Sequence, residues 1–335
     1  MTDIVKIAVD AMGGDGSPKK VIDGIIHHYS SNKDAIYNIF GNENLIEPLI
    51  KNRISKNNYE IFNTENEVKS TDSPLEAAKR GKNTSMWKSI ESVKNKVSDI
   101  VISAGNTGAL LVISKLNIKM IENIDKPALS ALWPNKLGMS VVLDLGANIE
   151  CSSKNLVDFS IMGSSLYKAL FPDEISKVAL LNIGSEEIKG NETIKETYQL
   201  LSEKRKLDFE FHGYIEGNQL MDGEVNVIVT DGFTGNVALK TAEGTANFIT
   251  QELKKALTSN LIGKISSFLN IKNLKNFKKR LDPRLYNGAI FIGLTSPVVK
   301  SHGGTDYLGF SNSLDVCKKI IKGDLINKIK NNINW

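Results

Sequence analysis

The chain has 335 residues, 41% of them hydrophobic and 24% charged, with 42 basic against 38 acidic side chains and a net charge of +4. Such a composition is that of a soluble globular protein with one large or two medium cores, and it is too balanced to argue for a nucleic-acid partner. Cys151 and Cys317 lie far apart and outside any Cys-x-x-Cys pair, which predicts free, reduced thiols and no zinc site.

Residues 4–9 alternate into a first strand, followed by Asp10-Ala-Met-Gly-Gly-Asp-Gly-Ser-Pro. Met1 to Asp10 holds no charged-then-apolar leader, and no apolar run approaches the roughly 20 residues that cross a bilayer, so a cytoplasmic protein is expected. Ser17 is placed to cap, and Pro18 to open, a helix over 19–29. Strands are predicted over 36–40 and 59–62, with a helix around 45–51 between them. Ser73-Pro-Leu-Glu76 reads as a capping box with proline at the first helical position.

The stretch Asp99 to Ala109 orders a β-branched strand (100–102), a small turn with Ser103, Gly105, Asn106, Thr107 and Gly108, and a helix. Strand, glycine-rich turn, helix is a geometry that aims free N–H groups at an anion. Further strands are predicted over 127–133, 140–145, 177–183, 209–212 and 225–229, and helices over 155–170, 193–202 and 237–253. Small-residue turns close several of these strands: Asp144-Leu-Gly-Ala-Asn148, 184–192 and Thr230-Asp-Gly-Phe-Thr-Gly-Asn236. The alternation predicts an α/β protein with a largely parallel sheet covered on both faces, and ligands at the strands' carboxyl ends. Some five polar turns exceed what packing needs, which predicts that they converge on one crevice. Neither Gly-x-Gly-x-x-Gly, a P-loop, Gly-x-Ser-x-Gly nor His-Glu-x-x-His occurs. A phosphate-friendly site with no covalent nucleophile remains, and Cys151 is expected to be filler.

The segments Ile7-Ala-Val-Asp-Ala-Met-Gly-Gly-Asp15, Ile102-Ser-Ala-Gly-Asn-Thr-Gly-Ala-Leu110, Leu143-Asp-Leu-Gly-Ala-Asn148, Leu181-Asn-Ile-Gly-Ser-Glu with Lys189-Gly-Asn-Glu192, Val229-Thr-Asp-Gly-Phe-Thr-Gly-Asn-Val-Ala-Leu-Lys240 and Val299-Lys-Ser-His-Gly303 resemble, in this order, the bacterial phosphate acyltransferases (acyl-ACP:phosphate transacylases, PlsX). The resemblance covers nearly the whole chain. Gly16-Ser17 and Tyr286-Asn-Gly-Ala depart from the family pattern at loop edges. It implies a homodimeric, three-layer α/β/α Rossmann-like fold similar to isocitrate dehydrogenases and phosphotransacetylases, formed here as one domain over residues 1–335. It implies acyl phosphate made from long-chain acyl-acyl carrier protein and inorganic phosphate at the start of phospholipid synthesis, with no cofactor and no metal. The product would pass to a membrane glycerol-3-phosphate acyltransferase.

Phosphate attack on a thioester needs positioning and oxyanion stabilisation rather than a covalent intermediate. For that chemistry Asn106, Thr107 and Gly108 are assigned to a phosphate cradle, Lys189 to the phosphate's cationic partner and Asn191 to a nearby donor. His302, beside Lys300, would orient phosphate or protonate the thiolate. Asp231, Thr234, Gly235 and Asn236 would form the opposite wall, with Asp10 and Asn148 as further candidates. Plainer roles compete: Asp10 and Asp231 as helix caps, Lys189 as a solvated lysine, His302 as a structural histidine, Asn148 as a turn former. A phosphotransacetylase-like enzyme using acyl-CoA, an NAD-dependent dehydrogenase of the same architecture and a non-catalytic phosphometabolite-binding module are the alternative functions.

A basic amphipathic insertion is predicted over about 254–282. Leu257, Leu261, Ile265, Phe268 and Leu269, then Leu274, Phe277 and Leu281, recur near helical spacing among Lys264, Lys272, Lys275, Lys278, Lys279 and Arg280. It would lie on an anionic membrane surface, giving peripheral association, or meet the acyl carrier protein, the partner subunit or the body of the fold.

Overall fold

The computed structural model describes residues 4–203 and 207–333, so Met1–Asp3, on which the reading of the leader partly rests, lie outside it. The first part of the chain lays down β1 (Val5–Asp10), α1 (Lys19–Ser31), β2 (Ala35–Gly41), α2 (Glu43–Ile50), β3 (Tyr59–Asn63), α3 (Pro74–Arg80), α4 (Ser85–Lys94), β4 (Ile100–Ser103) and α5 (Thr107–Asn117). Next come β5 (Ala128–Pro134), β6 (Met139–Leu143), α6 (Ser153–Leu170), β7 (Lys177–Asn182), α7 (Glu192–Ser202), β8 (Glu210–Glu216), β9 (Val227–Val229) and α8 (Gly232–Thr258). The chain closes with α9 (Leu261–Leu269), α10 (Ile271–Arg280), β10 (Ala289–Ile292), β11 (Val298–Lys300), α11 (Tyr307–Lys322) and α12 (Leu325–Asn332).

All eleven strands join one sheet in the order β3-β2-β1-β4-β11-β10-β5-β6-β9-β7-β8. The central strands are near-continuous runs of Val, Ile, Leu and Ala, as a sheet buried on both faces demands, and β1, β4, β9 and β11 are almost wholly buried. β3, β2, β1, β4 and β11 are mutually parallel, as are β6, β9, β7 and β8. Between them β10 and β5 each pair antiparallel on both sides. Two parallel halves therefore run in opposite directions, and their carboxyl ends lie on opposite margins of the sheet. The turns after β1, β4 and β11 form one group; those after β6, β7 and β9 form another.

Several local expectations change. Ser17 does not cap α1: its hydroxyl donates to the Gly13 carbonyl (2.6 Å), and Pro18 holds the cap position. Ser73 starts α3 ahead of Pro74 but makes no side-chain cap bond, so the capping box does not form. The polar segment 232–236, expected as a turn, is the first turn of α8, because Asp231 accepts from the Thr234 N–H (2.8 Å) and caps it. β10 and β11 are too short, at four and three residues, to leave a periodic signal in the sequence. From Glu243 to Arg280 no residue is buried, and Leu261, Ile265 and Phe268 are exposed among Lys275, Lys278, Lys279 and Arg280. Among the described residues no helix is long and apolar enough to cross a membrane.

Candidate active site

β1, β4 and β11 are adjacent strands, so their loops (11–18, 104–106 and 301–306) meet at one margin. The Asp15 N–H donates to the Gly303 carbonyl (3.0 Å), and the Ser301 N–H to Ser103 (2.9 Å). Glycine permits this approach: a Cβ on Gly13 would stand 2.6 Å from the Gly105 nitrogen, and one on Gly14, at φ +87°, 2.9 Å from the Ala104 oxygen. Beneath the loops, buried Asp10 accepts from the hydroxyls of Ser85 and Ser103 (2.6 Å each) and from the Met12 N–H (3.3 Å). Burial pushes its carboxyl up, and these hydrogen bonds oppose the rise. Asp10 is thus no helix cap; it ties β1 to β4 and α4.

Two lysines enter this margin with only 9% of each exposed. Lys20, from the first turn of α1, donates to the Gly303 carbonyl (2.6 Å). Lys300, at the end of β11, donates to the carbonyls of Ser301 and Ala104 (3.4 Å to the latter). Burial, and then the charge of Lys20, lower the Lys300 ammonium to about 8, with Asp10 acting the other way. Lys20 is also lowered by burial, opposed by Asp15. Neither ammonium contacts a carboxylate among the described residues; Asp10 and Asp15 act on them only through their fields.

His302 stands exposed beside it. Partial burial, then Lys300, lower its imidazole below the usual range; Glu243 on α8 opposes this, and Lys240 and Lys20 add to it. The Gly304 N–H donates to Nδ1 (3.2 Å), so the neutral ring carries its proton on Nε2. A neutral ring with Nε2–H is a hydrogen-bond donor to a developing oxyanion.

The other predicted residues have mostly structural duties. Asn106 caps α5 through the Ala109 N–H (3.0 Å) and donates to the carbonyls of Ser70 and Asp72 (3.1 and 3.0 Å), so its carboxamide is fully used. Thr107 is exposed, and Gly108 lets Pro74 of α3 pack against α5. Across the sheet Asp144 accepts five hydrogen bonds: the N–H groups of Leu129, Gly146, Ala147 and Asn148, and the Asn148 carboxamide. Asn148 also donates to the Pro127 carbonyl (2.7 Å), and Asn236 to that of Leu145 (3.2 Å). Gly235 is buried where a Cβ would stand 1.9 Å from the Asp144 oxygen. These groups lock α8 onto the turn after β6. Cys151 lies by them, half-buried, its thiol pushed up to about 11 chiefly by burial.

Lys189 is exposed on the turn after β7, and Asn191 caps α7 through the Ile194 N–H (2.9 Å). Asn106 and His302 thus share one margin, and Lys189 stands with Asp231 on the opposite one. α8 is the link. Asp231 caps its start, and Lys240, roughly 14 Å along its axis, already acts on His302. The sequence reading missed Lys20 and Ser85, and had Ser103 only as a turn residue. Lys20 looks like any helix-start lysine, and two serines announce nothing; only their burial around Asp10 and Lys300 singles them out.

The family model described as "Fatty acid synthesis protein" matches residues 5–328. A phosphate acyltransferase of Pelagibacter ubique is 75% identical over 333 residues, 99% of this chain and all of that protein. One of Maricaulis maris is 43% identical over the whole of this chain and 96% of its own. Among solved structures, a phosphotransacetylase of Streptococcus pyogenes (TM-score 0.61, 14% identity) covers 98% of this chain and 95% of its own. The EutD phosphotransacetylase of Staphylococcus aureus (TM-score 0.60, 16% identity) covers 95% and 94%. These two share the fold, a mostly parallel α/β sheet flanked by helices. With its matched span and its identity to these relatives, the chain belongs to the phosphate acyltransferase family, enzymes of acyl transfer with phosphate.

Proposed function

We propose that the protein makes acyl phosphate by direct attack of inorganic phosphate on a long-chain acyl thioester of acyl carrier protein, at the entry to phospholipid synthesis. The observation that carries this reading is the buried Lys300 ammonium beside His302, bonded only to carbonyls, at the margin where strand direction reverses. On that same margin the strand order turns back between β1 and β4, and ligands of open α/β sheets collect at such switch points. Inorganic phosphate, whose second ionisation lies close to neutral pH, supplies hydrogen phosphate dianion there without help from a base. A phosphate oxygen bonds to the carbonyl carbon, the C–S bond breaks, and the proton carried by hydrogen phosphate ends on the departing thiolate. Lys300 holds the nucleophile, and His302 Nε2–H stabilises the oxyanion. Lys189, Asn191, Asp231 and Thr234, on the turns at the opposite margin, are joined to this site by α8, whose Lys240 acts on His302. The exposed Ile149, Ile183 and Phe233 on the same turns offer the acyl chain apolar contact. The protein works as a homodimer, and the exposed basic helices α9 and α10 rest on anionic lipid, where a membrane glycerol-3-phosphate acyltransferase takes the product.

Acyl-carrier-protein and CoA thioesters, offered at equal concentration with inorganic phosphate, test the chemistry. Phosphate-dependent loss of the carrier-protein thioester is expected. Preference for the CoA thioester would replace this reading with a phosphotransacetylase-like one, and thioester loss without phosphate would end both. Flotation with anionic vesicles, expected to lift the protein, checks the membrane reading; equal flotation with neutral vesicles removes it.

A further inference from the structure

We infer that Lys20 is a phosphate-binding residue: its ammonium and that of Lys300 take the acceptor phosphate between them. The inference rests on the proposed acyl-phosphate chemistry and adds to it a cation from a different loop. Lys19 and Lys20 are neighbours at the start of α1 with opposite fates. Lys19 points outward and pairs with Asp23 (2.5 Å), whereas Lys20 is turned under the loops at 9% exposure. A buried ammonium costs free energy unless it is compensated. Here the compensation within the chain is one carbonyl bond, to Gly303 (2.6 Å), and the field of Asp15. Two of its three N–H donors have no acceptor among the described residues.

Lys20 lies against the β1 loop, where Gly14 has no Cβ: one built there would lie 3.0 Å from Nζ and 2.9 Å from the Ala104 oxygen. That same oxygen accepts from Lys300 Nζ (3.4 Å), so both ammonium groups border the Ala104 carbonyl. The charge of Lys20 adds to burial in lowering the Lys300 ammonium, and two like charges at one margin are the arrangement a dianion relieves. A strut holding α1 to the 303 loop would not need a second ammonium at the same margin.

Steady-state kinetics and calorimetry with inorganic phosphate on Lys20→Gln and Lys20→Met decide the matter. The expected result is a KM for phosphate raised at least about tenfold, or 1.4 kcal/mol. kcat and the KM for the acyl donor should stay within about twofold, and calorimetric phosphate affinity should fall in step. An unchanged phosphate KM, or parallel losses in kcat and donor KM with unaltered phosphate affinity, overturns the inference and leaves Lys20 a strut. Should Lys20→Gln fail to fold, Lys20→Met, which keeps the apolar stem, gives the same readout. Failure of the inference leaves wild-type turnover intact, whereas failure of the proposed function abolishes phosphate-dependent thioester loss in the wild type.

Discussion

The two groups of turns look alike in the sequence, each rich in Gly, Asn, Asp and Thr, but their polar atoms are spent differently. Around Asp144 the account closes: five donors meet one carboxylate, both asparagine carboxamides bond carbonyls, and Gly232 and Gly235 admit backbone where any Cβ would collide. Around Lys300 it stays open: two buried ammonium groups and one exposed imidazole meet carbonyls and an N–H, with no carboxylate in contact among the described residues. A buried charge left without its counterion marks a place for a ligand; a saturated network marks a joint.

The contrast can be broken hardest at the joint. Gly235→Ala puts a methyl 1.9 Å from the Asp144 oxygen, and overpacking of that kind costs about 3 kcal/mol or more. A large fall in melting temperature, or no soluble protein, is expected; a variant as stable as wild type would show that α8 is free to shift. At the open margin the loss should be of function alone. Lys300→Met should keep or raise thermal stability, since it removes a buried charge. Phosphate-dependent turnover should drop about 100-fold, or 2.7 kcal/mol; full turnover would remove Lys300 from the site. Lys189→Ala asks whether the second group also faces the substrate. We expect at least about a tenfold loss in acyl-phosphate formation at subsaturating phosphate, or 1.4 kcal/mol. Undiminished turnover would confine the site to the margin of Lys300.

What was legible was what short-range chemistry controls. The apolar runs of β1, β4, β6 and β7 and the turns that follow them stand in the sequence because each strand is buried on both faces. The reversal between the halves was not legible, because it runs through β10 and β5, which pair across more than 150 residues of chain. Convergence of all the polar turns was expected for that reason, and two groups linked by α8 are found. Lys300 and His302 could be named from their segment. Lys20 could not, since nothing in Lys19-Lys20 says which lysine faces solvent. Asn106 shows the converse: its place in a strand-turn-helix suggested a ligand, and the 70–72 loop takes its donors instead.

The smallest effect is also the most diagnostic, because it reads the open margin without disturbing it. Lys300 titrates at about 8 in the folded chain against an ordinary 10.5. The unfolded chain therefore binds more protons between those values, so this group adds stability as pH rises through them, an addition lost again on return below about 8. Phosphate binding runs the other way, since it needs the ammonium. With a free-enzyme group at about 8, the phosphate KM, expressed as the dianion concentration, should rise about fourfold between pH 7 and 8.5. Lys300→Arg, whose guanidinium keeps its charge throughout, should flatten that rise whatever it does to the absolute rate. His302 contributes nothing there, because its imidazole is already neutral above its lowered value. A dianion KM level across this range in the wild type would mean that the Lys300 ammonium does not hold phosphate, and the open margin would lose its claim to be the site.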